Sequence, residues 1–150
     1  MLPIKKILCP TDFSDFSYQA LKVAAEFCEK FNAQLYLVHV IAPVPKAMGL
    51  PTSASFDIPM YQKKLEEHNK EALDKIIKEK VPDTIKAESI VTYGFEADNI
   101  VETAEEKDVD LIIIATHGRT GLKHFFLGSV AEKVLRHTSH PVLTVRATEE

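Results

Sequence analysis

Leu35 to Ile41 reads LYLVHVI and Asp110 to Ala115 reads DLIIIA, and these two runs narrow the fold more than any other feature of the chain. Both are apolar at odd and even positions alike. A strand with one wet face alternates polar and apolar residues. A strand apolar on both faces must be covered on both, as happens in a parallel sheet wrapped by helices. The segments between the runs agree. Ile4 to Cys9 reads as a first strand stopped at Pro10. After it, Phe16, Ala20, Leu21, Ala24, Phe27, Cys28 and Phe31 recur at helical spacing, with Ser14 and Asp15 offering caps at the start and Asn32 closing the end.

Met60 to Lys80 reads as a long amphipathic helix whose inner face holds Leu65, His68, Ala72, Leu73, Ile76 and Ile77. Glu66 with Lys70 and Glu71 with Lys75 pair along its outer face. Lys86 to Tyr93 is a third, more polar strand ended by Gly94, and Phe95 to Lys107 a third helix. Ser129 to His137 is a fourth helix and Pro141 to Arg146 a fifth strand. The order β-α-β-α-β-α-β-α-β predicts an α/β fold with a doubly wound, five-stranded parallel sheet. Ala42 to Pro59 reads as a long loop, with Pro43, Pro45, Pro51, Pro59 and Gly49.

A length of 150 residues suits one domain spanning 1–150, and 45% hydrophobic with 27% charged residues is ordinary for a packed globule. A formal net charge of -4 disfavours a protein that tracks a nucleic-acid backbone, yet leaves room for one small anion held by a few local donors. Cys9 and Cys28 have no CxxC spacing and lie in apolar stretches, so buried thiols in a reducing compartment are expected. The apolar runs fall far short of the ~20 residues of a membrane span, and no signal peptide is visible. The expected location is cytoplasmic.

In a doubly wound sheet, ligands sit beyond the carboxyl ends of the strands where the strand order reverses. Two segments qualify. The first is Pro10-Thr11-Asp12, where the Asp12 carboxylate suits a ribose hydroxyl or an adenine amino group, or else caps the first helix. The second runs from Ala115 through His117, Gly118 and Arg119 to Gly128-Ser129-Val130. Ser129 and Glu132 have the spacing of a capping box, and the helix they open is an anion site by its free N–H groups and dipole. His117, Arg119, Lys123 and His124 add side chains there. The bland alternative, turns and a cap only, stands beside the binding one. Walker A, GxGxxG, GxSxG and HExxH sequences are absent, and His137 with His140 reads as a helix end plus a turn rather than a metal site. His39 is expected in the core or at a pocket edge.

The segments ILCPTDFSDFSYQAL, LVHVI and DLIIIATHGRTGLKHFFLGSVAEKVLRHTSHPVLTVR closely resemble the universal stress protein family along nearly the whole chain. Its nucleotide-binding branch is similar to a G-x2-G-x9-G-[ST] pattern, which Gly118, Gly128 and Ser129 match, while Ala115 replaces the first glycine. Alanine there is compatible with binding if its φ is negative. The resemblance implies strand order 3-2-1-4-5, in a Rossmann-like fold of the adenine nucleotide alpha hydrolase type. It also implies ATP or AMP as ligand, with Mg2+ accompanying ATP and held mainly through phosphates and water. Pro10, Thr11, Asp12 and Val40 would hold the adenosine; Ala115, His117, Gly118, Arg119, Gly128, Ser129 and Val130 would line the ribose and phosphates. In that strand order the fifth strand, with Val142, Leu143 and Val145, is an apolar edge, and pairing with its twofold copy would cover it in a homodimer. The expected function is a nucleotide-dependent sensor or switch in a stress response, read by a protein partner. A slow ATP hydrolase or nucleotidyl-transfer enzyme, and a dimeric interaction protein that needs no nucleotide, remain alternatives.

Overall fold

The computed structural model describes residues 2–43, 58–117, 127–146 and 148. Most of the long loop, with Gly118, Arg119, Gly121, Lys123 and His124, lies outside them. The described elements are β1 (Lys6–Pro10), α1 (Asp15–Phe31), β2 (Gln34–Ile41), α2 (Ile58–Lys80), β3 (Ala87–Tyr93), α3 (Glu96–Lys107), β4 (Leu111–Ala115), α4 (Ser129–His137) and β5 (Val142–Val145). All strand pairings are parallel, in the order β3-β2-β1-β4-β5. The predicted fold class and strand order are those of the structure.

The two apolar runs do what their composition requires. Along β2, Leu35 and Leu37 enter a core under α1 and α2, with Leu21, Ala24, Leu73 and Ile76. Tyr36, Val38 and Val40 enter a second core under α3 and α4, with Ile100, Ala104, Ala131 and Val134. Ile112 and Ile113 of β4 divide between the two cores in the same way, and both are wholly buried. Each such side chain contributes about 1.5–3 kcal/mol. His68 departs from the expectation: it is exposed, and Leu73 and Ile76 carry the buried face of α2.

Local signals place the helix ends. Ser14 caps α1 by accepting from the Ser17 N–H, and Asn32 ends it in the left-handed region. Gly94 has φ 131°, a conformation that suits only glycine, and turns the chain from β3 into α3. The capping box expected at α4 is not formed. Gly128 is the N-cap, Ser129 is the first helical residue, and Glu132 pairs with Arg136 instead. The reason is a close approach: the Gly128 N–H donates to the Thr116 carbonyl, and a Cβ at 128 would lie 2.7 Å from that oxygen. The helix therefore begins where glycine lets it touch the end of β4.

Candidate functional site

The β1–β4 boundary is where the strand order reverses. β1 pairs with β4 at Ile7↔Leu111 and Leu8↔Ile112, but with β2 as far as Pro10↔Val38. Pro10 has no N–H to continue a ladder towards β4. The two strands part there, and a cavity of about 540 Å³ opens between the β1–α1 turn, the end of β2 and the start of α4. Every described residue expected at the site lines it: Pro10, Thr11, Asp12, Val40, Ala115, His117, Gly128, Ser129 and Val130. Gly118 and Arg119 lie outside the described residues. The structure adds Leu65 and Asn69 from α2 and Glu96 and Ile100 from α3. Sequence reading did not find these four, because only the packing of α2 and α3 brings them over the cavity.

The β1–α1 turn is held by its own side chains. The Thr11 hydroxyl is buried, accepts from the Phe13 N–H at 3.1 Å and lies 2.7 Å from the Ser17 hydroxyl. Ser17 donates its proton to the Ser14 carbonyl at 2.7 Å, so Thr11 donates to Ser17. Thr11 thus walls the cavity with its hydroxyl already spent inside the protein. Asp12 accepts from the Ser14 N–H at 3.0 Å and from the Ser14 hydroxyl. It braces the cap of α1 one step upstream rather than capping the helix itself. Phe13 has φ 65°, a strained conformation for a bulky residue, and its ring lies 4.4 Å from that of His39. His39 Nδ1 is 2.8 Å from the Thr11 carbonyl oxygen, which only accepts, so Nδ1 carries the proton.

Val40 is placed by alternation. The Val38 carbonyl accepts from the Thr11 N–H on the β1 side, while the Ile41 carbonyl accepts from the Gly94 N–H on the β3 side. The Val40 N–H and C=O therefore face the β1 side, one step beyond the last β1–β2 pair, and border the cavity. They present one donor and one acceptor side by side.

Across the cavity, Ala115 is the last residue of β4, with negative φ, paired with Val145. The missing first glycine of the motif therefore costs no backbone strain. The Thr116 hydroxyl lies 2.9 Å from His117 Nδ1, and the His117 ring is 6.3 Å from that of Phe16. No side chain of a described residue caps α4, so the amide groups of its first turn border the cavity, and Ser129 is exposed with its hydroxyl bonded to no described residue. An uncapped helix start with its dipole directed at a crevice is an anion cradle. Among the described residues, no three His, Cys, Asp or Glu side chains converge as metal ligands.

Residues 3–146 match the universal stress protein family. The chain belongs to that family. It is 39% identical over 142 residues to universal stress protein MJ0531 of Methanocaldococcus jannaschii, covering 95% of this chain and 82% of that one. It is similar to MJ0577 of the same organism, at 35% identity, and the solved structure of MJ0577 superposes with a TM-score of 0.81 over 98% of this chain and 99% of that one. Two more distant structures share the fold. A universal stress protein in complex with cAMP has 23% identity and a TM-score of 0.65, covering 95% of this chain and 97% of that one. The Archaeoglobus fulgidus protein in complex with dAMP has 21% identity and a TM-score of 0.61, covering 97% of this chain and 100% of that one.

As a universal stress protein, the chain carries the family's last motif glycine for a reason visible here: Gly128 is where α4 meets β4. No helix among the described residues is long and apolar enough to cross a membrane.

Proposed function

We propose that this universal stress protein binds ATP or AMP in the crevice between β1 and β4 and acts as a nucleotide-dependent switch in a stress response. One observation carries the reading. The open Val40 peptide and the uncapped start of α4 face a single cavity from opposite sides. The Val40 donor and acceptor suit the N1 and N6 groups of adenine, and the first turn of α4 suits phosphate. Asp12, which lines the same cavity, would accept from the ribose. A cavity of about 540 Å³ falls in the usual range for small-ligand sites. The dAMP and cAMP bound by the distant relatives support an adenine nucleotide as the class. Magnesium accompanying ATP would take most of its ligands from phosphates and water.

The same reading includes a homodimer. β5 is the edge of the sheet next to β4, and its residues are only half-buried, so we place the homodimer there.

The test is direct. The purified protein is denatured and the supernatant analysed for ATP, ADP and AMP, then the refolded chain is titrated with ATP, AMP and adenosine by calorimetry. Binding of adenine nucleotides, with phosphate turnover far below ~1 per second, is the expected result. A chain that carries no nucleotide and shows no heat with any of the three sinks the proposal.

A further inference from the structure

In a continued parallel ladder, the Val40 N–H would donate to the Thr11 carbonyl, and the Val40 carbonyl would accept from the Phe13 N–H. That register follows from the pair Pro10↔Val38 and the Thr11 N–H to Val38 carbonyl bond of 2.8 Å. Neither bond forms. The Thr11 carbonyl is taken by His39 Nδ1 at 2.8 Å, and the Phe13 N–H by the Thr11 hydroxyl at 3.1 Å. Both ladder partners of Val40 are engaged by side chains instead, the Phe13 N–H fully and the Thr11 carbonyl through one of its two lone pairs.

We infer that His39 is a positioning residue: by engaging the Thr11 carbonyl it ends the β1–β2 ladder one pair early and keeps the Val40 peptide open to the cavity. Its effect on nucleotide affinity rests on the function proposed above; its effect on the ladder does not. The geometry favours His39 over a general packing role. Its side chain leaves β2 on the α1 face, where it backs the ring of Phe13, the residue in the left-handed region. Without the imidazole the Thr11 carbonyl is left seeking a donor, and the nearest in the ladder is the Val40 N–H. Closing that bond would occupy half of the edge that reads the base. The donor matters rather than the ring charge, since Nδ1 carries a proton in the neutral imidazole and in the imidazolium alike. Asparagine, with an amide N–H near the Nδ1 position, should replace it.

The experiment reads amide hydrogen exchange at Val40 by NMR in the nucleotide-free protein, beside the affinity for ATP. In the wild type, Val40 should exchange at least about tenfold faster than Val38. His39→Leu should protect the Val40 amide and weaken ATP about tenfold, the equivalent of one lost hydrogen bond. His39→Asn should keep both readings within about twofold of the wild type. Unchanged Val40 exchange in the folded leucine variant, or loss of ATP affinity in the asparagine variant, overturns the inference. So does a wild type whose Val40 is already as protected as Val38, a measurement that needs no variant to fold. A wild type with an open Val40 amide and no affinity for ATP leaves the ladder inference intact and removes the nucleotide reading instead.

Discussion

At the scale of single residues, space rather than backbone conformation explains Gly128. Its φ of -67° suits any residue, yet a Cβ would lie 2.7 Å from the Thr116 oxygen. Gly128→Ala should push α4 away from β4 and lower stability by about 1–3 kcal/mol in urea denaturation, with weaker ATP binding. Unchanged stability would show that the contact yields freely. Ser129→Ala is the counterpart. Its hydroxyl caps no described group, so stability should stay within ~0.5 kcal/mol, while affinity for ATP should fall more than affinity for adenosine. An equal fall for both would place the hydroxyl away from phosphate. The cysteines belong to this scale as well. Cys9 and Cys28 are free and buried, and burial pushes the Cys28 thiol up to about 12 and Cys9 higher still. Both stay protonated in the folded protein, whereas unfolding lets them ionise above about pH 9. The unfolded state then holds fewer protons, so stability is intact below that pH and falls as pH rises through it, by up to ~1.4 kcal/mol per thiol per pH unit. Replacing both with alanine should flatten that alkaline slope in denaturation curves, and a slope that persists would assign it to other groups.

At the scale of elements, the helix and strand order was legible because the buried strands are short and apolar and most end near turn-forming residues such as Pro10, Asn32, Gly94 and Pro141. The cap of α1 was legible too, since Ser14 stands just before the periodic run. Ser14→Ala should cost about 1 kcal/mol, measurable by thermal unfolding, and the loss should be larger than at an ordinary surface serine because Asp12 also loses the Ser14 hydroxyl while keeping the Ser14 N–H. At α4 the same kind of local reasoning misled. Ser129 and Glu132 have capping-box spacing, but whether a helix starts at 128 or 129 depends on how closely it approaches β4, and sequence spacing does not contain that distance. Likewise the spacing that placed Leu73 and Ile76 inward placed His68 there as well, although the packed face of α2 runs through Leu65, Asn69, Leu73 and Ile76 and leaves His68 exposed.

At the scale of the whole molecule, the reversal of strand order turns two distant segments into one site and leaves β5 as an edge. Alternation settles which β5 groups face outward. The carbonyls of Pro141 and Val145 accept from β4, so the amides of Val142 and Thr144 point away from the sheet. Thr144→Pro removes an outward donor without touching the β4 ladder. If the twofold pairing of β5 is the dimer, this variant should be monomeric by sedimentation at micromolar concentration while keeping its helical content. A variant as dimeric as the wild type would move the interface elsewhere.

The order of elements, the two-sided burial of β2 and β4, and the positions of the two crevice segments are all written in local patterns of apolar and turn-forming residues, because periodicity and backbone preference act over a few neighbours. Tertiary structure alone decided that Pro10 opens β1 from β4, that Gly128 must stay without a side chain, and that His39 and the Thr11 hydroxyl take the partners of the Val40 peptide. The contact between His39 and the Thr11 carbonyl joins residues 28 apart in sequence, and Gly128 meets Thr116 only once α4 has docked on β4; no local pattern encodes a competition between a ladder bond and a side chain.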